Sequence, residues 1–175
     1  YGGAASLGGG IKVGGKKKKK GGDGGDAESK VKAMLVDLLG QLPEDFNMVV
    51  LKKDSAENLT KQDAPYTLLL LQEITRMNTL LSSMRSSMVD LQKGLNGELN
   101  MSEGMELLLE AMSINQVPGR NIFHRTSWEK HAWWSRKTLA TWFPELLRRN
   151  EQLVGWREEL IMPYCVWFPG LFNPM

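Results

Sequence analysis

The chain has 175 residues, 22 of them basic and 20 acidic, and its length suits one domain or one domain plus a tail. No uninterrupted apolar run approaches the roughly 20 residues needed to cross a membrane, so no membrane partner is expected. The single cysteine, Cys165, excludes an internal disulfide framework and favours a reducing compartment such as the cytoplasm. Its apolar and aromatic sequence neighbours predict a buried, unreactive thiol.

Residues 1–26 form a tail of unusual composition. This tail holds six lysines and two aspartates, whereas the remaining residues hold 16 basic and 18 acidic side chains. The near-neutral body offers no basic face for nucleic acid. Eleven of the 18 glycines lie within residues 1–25, and few apolar side chains there could offset an ordering cost of about 1–2 kcal/mol per residue. We therefore predict a disordered, flexible Gly/Lys-rich linker, with weak contact to an acidic surface as an alternative.

The segment from Gly10 to Lys16 has the outline of a phosphate-binding P-loop, which would imply a nucleotide-binding enzyme. A working P-loop follows a buried strand, opens a helix and ends in Lys-Ser or Lys-Thr, because the hydroxyl holds magnesium. Here Lys17 occupies the hydroxyl position and no apolar strand precedes Gly10. The pattern therefore favours the linker and predicts no nucleotide site in this segment.

The first predicted helix follows the tail. Asp26 or Ser29 can cap it, and apolar residues then recur at helical spacing until Pro43 closes it. Its apolar face consists of Val31, Met34, Leu35, Leu38, Leu39 and Leu42. The apolar residues 46–51 predict a short strand or an extended connector, and the polar residues 52–64 predict a loop.

Residues 66–96 predict the longest helix, a rod about 45 Å long at 1.5 Å per residue. Apolar residues repeat along it at alternating spacings of four and three, which is a heptad stripe: Leu70, Ile74, Met77, Leu81, Met84, Met88, Leu91 and Leu95. Burying one stripe does not offset the cost of ordering the backbone, so the rod must pack against partner helices. The core of a helical bundle is favoured over a dimeric coiled coil, because the flanking positions lack a regular opposite-charge pattern.

A further helix follows the rod, with Asn100 or Ser102 as its cap and the Val117-Pro118-Gly119 segment as its stop. Its apolar side consists of Met101, Met105, Leu108, Leu109 and Met112. Residues 120–135 are irregular and rich in tryptophan, and this composition favours core packing over stacking on nucleic-acid bases.

Residues 136–160 predict the last long helix, and residues 163–169, bracketed by prolines, predict a strand. Pro144 is expected to kink or restart the helix. Arg149 interrupts the apolar stripe of this helix, which consists of Leu139, Trp142, Leu146, Leu153, Trp156 and Leu160.

Candidate chemistry is sparse along the whole sequence. His124 and His131 make only two potential ligands where zinc needs three or four, and no Gly-x-Ser-x-Gly nucleophile motif occurs. Glu158 and Glu159 are adjacent and project differently from a helix, so they do not form an acid/base pair. The residues thus predict a mainly α, multi-helix bundle with no catalytic, cofactor-binding or metal-binding residues, in which the two apolar stripes have a structural role.

Several ordered blocks resemble the carboxyl-terminal part of dynein heavy chains, over about residues 27–175. The blocks are LPEDFNM (42–48), LLQEITRMN (70–78), MRSSMVDLQKG (84–94), LATWF (139–143), LLRR (146–149) and WFPGLFNPM (167–175). The last block is more similar to axonemal (ciliary) heavy chains than to cytoplasmic ones.

This resemblance implies a fragment of an ATP-driven, minus-end-directed microtubule motor for ciliary movement, located in the cytoplasm, the cytoskeleton and the ciliary axoneme. It implies a division into a linker (1–26), a helical segment like the lid of the sixth AAA module (27–65) and the truncated start of the C-terminal domain (66–175). The segment would be a non-catalytic scaffold packed on the AAA ring.

The partners implied by the resemblance are the rest of the heavy chain, with intermediate chains, light chains and microtubules reached through the parent motor. ATP and magnesium would be bound elsewhere in that motor, so no cofactor is expected in this segment. The alternative hypothesis is a free-standing helical adaptor that binds a partner helix through the heptad stripe at 70–95.

Overall fold

The computed structural model describes residues 24–58, 64–119, 127–133, 135–159 and 164–172. Within these ranges the protein forms six α-helices and a 3-10 turn: α1 (Gly24–Gln41), α2 (Met48–Asn58), α3 (Ala64–Leu95), α4 (Glu103–Ser113), α5 (Ser127–His131), α6 (Leu139–Glu159) and the turn Phe168–Gly170. The same ranges contain no strand, and a lone bridge joins Gln116 to Thr138. The mainly α prediction is confirmed. The P-loop segment and residues 1–23 of the predicted linker lie outside the described residues, whereas the last three linker residues, 24–26, were predicted wrongly because they belong to α1.

Helix α3 lies at the centre of the bundle. It packs against α1, α2, α4, α5 and α6, and α1 also packs against α4. Seven of the eight heptad residues are buried, and Leu95 is partly buried against the same core. The stripe is therefore covered by the protein's own helices, and it offers no exposed surface for the partner helix that the adaptor hypothesis requires. None of the helices among the described residues is long and apolar enough to span a bilayer.

Helix α1 begins earlier than the sequence indicates. Its first residue is Gly24, so Asp26 and Ser29 lie inside the helix and are not its caps. Asp26 instead pairs with Lys30 one turn later, at 2.8 Å between carboxylate and ammonium. Four residues of the predicted apolar face are buried and two more are partly buried, as expected from the helical spacing: Val31, Leu35, Leu38 and Leu42, then Met34 and Leu39.

The strand or extended connector predicted at 46–51 and the loop predicted at 52–64 were wrong over residues 48–58, because α2 covers them. Residues 59–63 of the predicted loop lie outside the described residues. The Asn47 side-chain oxygen accepts hydrogen bonds from the amides of Val49 (3.1 Å) and Val50 (3.2 Å), as a helix N-cap does. Leu51 and Ser55, one turn apart, are buried on the inner side of α2. The short apolar run therefore belongs to one face of a helix.

The connector, residues 42–47, joins α1 to α2 and is held by α3. Asn78 binds the backbone of Phe46 twice, accepting from its N–H and donating to its C=O, both at 2.8 Å. Arg85 donates to the carbonyl oxygen of Pro43 at 2.7 Å. Two polar side chains of α3 thus satisfy backbone groups that have no helical partner.

The turn after α4 determines where α6 begins. Asn115 has a positive φ of 56°, a conformation that Asn tolerates better than most residues. Its backbone oxygen accepts from the Leu139 amide at 3.0 Å, and its side-chain oxygen accepts from the Ala140 amide at 2.9 Å. Helix α6 therefore starts at Leu139, three residues later than predicted. The cap predicted for α4 is confirmed at one of its two candidates, Ser102, whose hydroxyl accepts a hydrogen bond from the Met105 amide.

Helix α6 is continuous through Pro144, so the predicted restart was wrong. Pro144 is the sixth residue of the helix, and its ring removes a single backbone hydrogen bond close to the amino-terminal end. The last predicted stripe residue, Leu160, lies outside the described residues.

The strap, residues 164–172, contacts α6 through Trp167 and Leu171 and contacts α3 through Phe172. The strand predicted at 163–169 was wrong, because the described part of this segment contains a 3-10 turn at Phe168–Gly170. Cys165 is exposed, not buried as predicted. The inward positions of the strap are taken by Gly170, Leu171 and Phe172, which leaves Cys165 on the outer side.

Candidate functional site

Three tryptophans form a layered stack between α3 and α6. The ring centroids of Trp133 and Trp142 are 5.0 Å apart, and those of Trp128 and Trp142 are 6.3 Å apart, with near-parallel planes. The Trp128 indole N–H donates to the hydroxyl of Ser87 on α3 at 2.7 Å. All three rings are buried, so the tryptophans pack in the core and are not available for base stacking.

Arg149, which interrupts the apolar stripe of α6, lies against this stack. Its guanidinium carbon is 3.7 Å from the Trp133 ring centroid, and the residue is only 3% exposed. One terminal nitrogen donates to the carbonyl oxygen of Leu171 in the strap at 3.1 Å. The other donates to a carboxylate oxygen of Glu145 at 3.2 Å. The predicted interruption is thus a buried cation that holds the strap.

Burial lowers the pKa of Arg149 below its ordinary value, because desolvation disfavours the charged form. The hydrogen bond from Arg149 to Glu145 and the negative charges of Glu145 and Glu73 oppose this lowering. The guanidinium is charged at neutral pH, because the pKa of an arginine side chain stays far above neutrality in a protein.

Glu73 holds the strap from the opposite side. It lies on the buried face of α3 and is 2% exposed. One carboxylate oxygen accepts from the Phe172 amide at 2.6 Å, a contact between residues 99 positions apart. The other carboxylate oxygen accepts from Arg76 at 3.3 Å. Each oxygen of this buried acid therefore has a donor.

Glu145 links Arg149 to the protein surface. Burial by itself would raise its pKa, but hydrogen bonds from Lys137 (2.8 Å) and Arg149 outweigh this effect. Their positive charges act in the same direction, so the pKa of Glu145 is lowered from its ordinary value. Glu145 is accordingly ionised at neutral pH and fixes the position of the Arg149 guanidinium.

Trp167 anchors the other end of the strap. Its amide donates to the Gln152 side-chain oxygen at 2.9 Å, and its ring lies 5.0 Å from the Arg148 guanidinium carbon. The ring folds over Gly170, where a Cβ atom would be 2.3 Å from a ring carbon. Only glycine fits at position 170 with the ring in this place.

A cleft of about 330 Å³ borders the strap at Phe172. Its lining carries three basic side chains and two hydroxyls: Arg76, Lys130 and His131, with Thr75 and Thr79. The described residues contain no group of three or more metal-ligating side chains, and His124 lies outside them. The chemistry that this region does perform is the binding of a backbone segment through fixed charges.

The stripe residues predicted from the sequence converge on one core. Within α6 the five described members are at most 3% exposed, and they join the α3 stripe in a single cluster: Leu139, Trp142, Leu146, Leu153 and Trp156. The sequence patterns alone do not single out Glu73, and they mark Arg149 only as an interruption. A usable signal is nevertheless present, because each is a charged residue three positions after a stripe leucine, Leu70 and Leu146 respectively.

A family model that describes the C-terminal domain of dynein heavy chains matches residues 7–175. The protein is 40% identical over 154 residues to the flagellar outer arm dynein beta chain of Chlamydomonas reinhardtii, and the match covers 87% of its length. It is 40% identical over 151 residues to dynein axonemal heavy chain 11 of Sus scrofa, and 37% identical over 153 residues to axonemal heavy chain 9 of Homo sapiens. These two matches cover 86% and 87% of its length, and in each of the three cases the match spans only 3% of the relative's own length.

Proposed function

The protein belongs to the family of dynein heavy chains, within their C-terminal domain, and we propose that it is a structural segment of a ciliary motor. Its relatives are flagellar outer arm, ciliary and axonemal heavy chains, so the sequence is of the axonemal type and belongs to the cytoskeleton of the cilium or flagellum. The observation that carries the proposal is the family match over 7–175, which extends along nearly the whole sequence.

The proposed role is that of a scaffold packed on the AAA ring of an ATP-driven, minus-end-directed microtubule motor. The buried heptad stripe supports this role, since a bundle closed around α3 can transmit or resist force as one unit. Exposed apolar side chains on α2 support it as well, because Val49 is 79% and Val50 is 51% exposed on the outer side of that helix. We expect these valines to contact the rest of the heavy chain.

The division into a lid-like part (27–65) and the start of the C-terminal domain (66–175) stays a prediction. The proposal also assigns intermediate chains, light chains and microtubules as partners of the parent motor, and it assigns no nucleic-acid or membrane partner to this segment. ATP and magnesium are proposed to bind elsewhere in the parent, which leaves the segment without a cofactor or catalytic role of its own.

The docking role is tested in the complete heavy chain with the pair Val49→Lys/Val50→Lys. The control pair, Ala56→Lys/Glu57→Lys, places the same two side chains at exposed positions of the same helix. We expect the valine pair to lower microtubule-stimulated ATPase activity without changing the helical content or the melting temperature of the protein. The control pair should leave the ATPase activity, the helical content and the melting temperature unchanged. Equal effects of the two pairs, or no effect of either, would contradict the proposal.

The non-catalytic role is tested separately by equilibrium binding of labelled Mg-ATP to the 175-residue protein. We expect no saturable binding. Saturable binding in the micromolar range, lost on Lys16→Ala, would instead favour a nucleotide-binding enzyme.

A further inference from the structure

The two charged contacts to the strap meet at a single peptide bond. The Leu171 carbonyl oxygen, bound by Arg149, and the Phe172 N–H, bound by Glu73, are the two polar groups of one amide unit. In a trans peptide bond these groups point in opposite directions. The guanidinium and the carboxylate therefore flank the amide, the positive group at the oxygen and the negative group at the N–H.

Both charges are held in place by groups outside the strap. Arg76 holds the second oxygen of Glu73, and Glu145 holds the second terminal nitrogen of Arg149. The Trp133 ring restricts the guanidinium further. Charge-assisted hydrogen bonds of this kind are shorter and roughly twice as strong as neutral ones. The arrangement is thus a rigid receptor for an amide of one polarity.

Glu73 and Arg149, which hold this amide from its two sides, are called the clamp below. Two aromatic side chains of the strap bind next to the clamp. Phe172 meets the edge of Trp133 with 5.8 Å between ring centroids. Trp167 lies over Arg148 and near Arg149, with ring-to-guanidinium distances of 5.0 and 5.4 Å. Between them the turn is closed by backbone hydrogen bonds within the strap, from Gly170 to Trp167 and from Leu171 to Phe168. The strap therefore has the features of a preformed peptide ligand.

We propose that Glu73, Arg149 and the tryptophans beneath them form a peptide-binding groove, whose ligand is the segment Trp167–Phe172 of this same protein. The groove recognises a tryptophan, a 3-10 turn with glycine at its end, one clamped amide and a terminal aromatic ring. This inference stands apart from the motor assignment, since it depends only on contacts within the protein. It implies that the segment binds in trans when the covalently attached copy is weakened.

The test uses the full-length protein with Trp167→Ala/Phe172→Ala, which removes the strap's anchors and leaves the groove residues unchanged. The probe is a fluorescein-labelled synthetic peptide with the sequence of residues 164–172. We expect saturable binding to this variant, and binding to the unaltered protein weaker by about tenfold or more, because the attached strap competes at an effective concentration near millimolar. A peptide with alanine at its tryptophan and its final phenylalanine is the matched control and should not bind.

The role of the Glu73 carboxylate is tested by adding Glu73→Gln to the Trp167→Ala/Phe172→Ala variant (the anchor variant). Circular dichroism first verifies that the resulting protein is folded. Loss of the carboxylate charge should weaken peptide binding by about tenfold. Exchanging the two charges in the Trp167→Ala/Phe172→Ala variant, with Glu73→Arg/Arg149→Glu, should also leave peptide binding weak. The negative group would then face the amide oxygen and the positive group would face the N–H. If Glu73 and Arg149 acted only as an ion pair with each other, the exchange would preserve binding.

Two results would overturn the proposal. One is the absence of saturable peptide binding to both the anchor variant and the milder Phe172→Ala variant at up to roughly 1 mM peptide, the limit of weak binding. The other is equal binding with and without Glu73→Gln. If the double anchor variant does not fold, Phe172→Ala replaces it in every arm, because Trp167 still holds the strap near Arg148.

Discussion

The connector and the strap are both non-helical segments held against α3, but by different chemistry. The connector is bound by Asn78, a neutral amide that matches the N–H and C=O of Phe46 with two hydrogen bonds of 2.8 Å, and by the partly exposed Arg85, which donates to the Pro43 carbonyl. The strap is bound by a carboxylate on one side of its amide and a guanidinium on the other. In both cases side chains supply the hydrogen-bond donor and acceptor that a neighbouring strand would supply to a backbone segment in a sheet.

This contrast in chemistry explains why the connector should tolerate change better than the strap. Asn78 is half-buried and uncharged, so water can reach the N–H and C=O groups of Phe46 when the Asn78 side chain is removed. Glu73 and Arg149 are almost wholly buried, so the loss of either takes a charged hydrogen bond from the strap amide in a poorly solvated place. Substitutions at the strap should therefore cost more stability than equivalent substitutions at the connector.

Arg149→Met should produce the greatest loss of stability. Removing the cation takes the buried half of the ion pair from Glu145, which keeps only its contact to the half-exposed Lys137, and it takes the donor from the Leu171 carbonyl. We expect a loss of about 3–5 kcal/mol in the free energy of unfolding, measured by urea denaturation. The exposed Arg157→Met on the same helix is the control and should change little. A loss below about 1 kcal/mol would show that the strap is held mainly by its aromatic rings.

Gly170→Ala should destabilise the strap by steric conflict. The added Cβ atom would meet ring carbons of Trp167 at 2.3 and 2.9 Å, so the ring must move off Gly170. We expect a loss of about 1–3 kcal/mol and a shift in tryptophan fluorescence. Gly155→Ala in α6 is the matched control, because the added Cβ atom has open space there. This variant should gain about 0.5–1 kcal/mol in the free energy of unfolding, since alanine is favoured over glycine within a helix. Similar results for the two variants would refute the close packing of Trp167.

Asn78→Ala should loosen the connector by a smaller amount. The change removes two neutral hydrogen bonds, each with a net value of about 0.5–1.5 kcal/mol. We expect a total loss of about 1–2 kcal/mol, below that of Arg149→Met, in the same denaturation experiment. A loss equal to or greater than that of Arg149→Met would reverse the proposed order of the two segments.

Acid should weaken the strap side of the molecule through Glu145. The pKa of Glu145 is lowered in the folded state from its ordinary value of 4.5, so the unfolded protein binds more protons in the acidic range. The corresponding stability is fully present above the ordinary pKa and is lost as pH falls through the lowered one. Glu145→Gln should therefore make stability less dependent on pH below about 4.5, in denaturation curves recorded across that range. An unchanged pH profile in the variant would contradict this role.

Asp45→Asn should have the least effect. Asp45 and Arg85 are both partly exposed, their charged atoms are 3.8 Å apart, and such surface pairs contribute about 0–1 kcal/mol. Arg85 keeps its hydrogen bond to the Pro43 carbonyl in this variant. We expect a change below about 0.5 kcal/mol. A larger loss would mean that the connector depends on the Asp45–Arg85 ion pair in addition to the hydrogen bond from Arg85 to Pro43.

The helices with long periodic stripes could be predicted from the sequence, and the segments between them could not. The α3 stripe has eight members at regular spacing, and that pattern specifies both the helix and its buried face. Helix α2 escapes prediction because an apolar run as short as 48–51 is compatible with either a strand or a helix. Asn47 directly before that run is the cap signal that distinguishes the two.

The strap site could be predicted only in part. Arg149 is recognisable as an anomaly on an apolar face, but its partner lies 22 residues further along the sequence, in the strap. The contact from Glu73 to Phe172 joins residues 99 positions apart, and no local pattern encodes such a pairing. The apolar neighbours of Cys165 indicate a core position, whereas the turn at Phe168–Gly170 places it outside.

Hydrogen exchange at two backbone amides can show whether the connector and the strap are held independently, because Phe46 and Phe172 report on them separately. In Glu73→Gln the Phe172 amide should lose about tenfold or more in protection, while the Phe46 amide is unchanged. In Asn78→Ala the pattern should be reversed. Equal loss of protection at both amides in both variants would contradict this account, since it would mean that the two segments open together with the whole bundle.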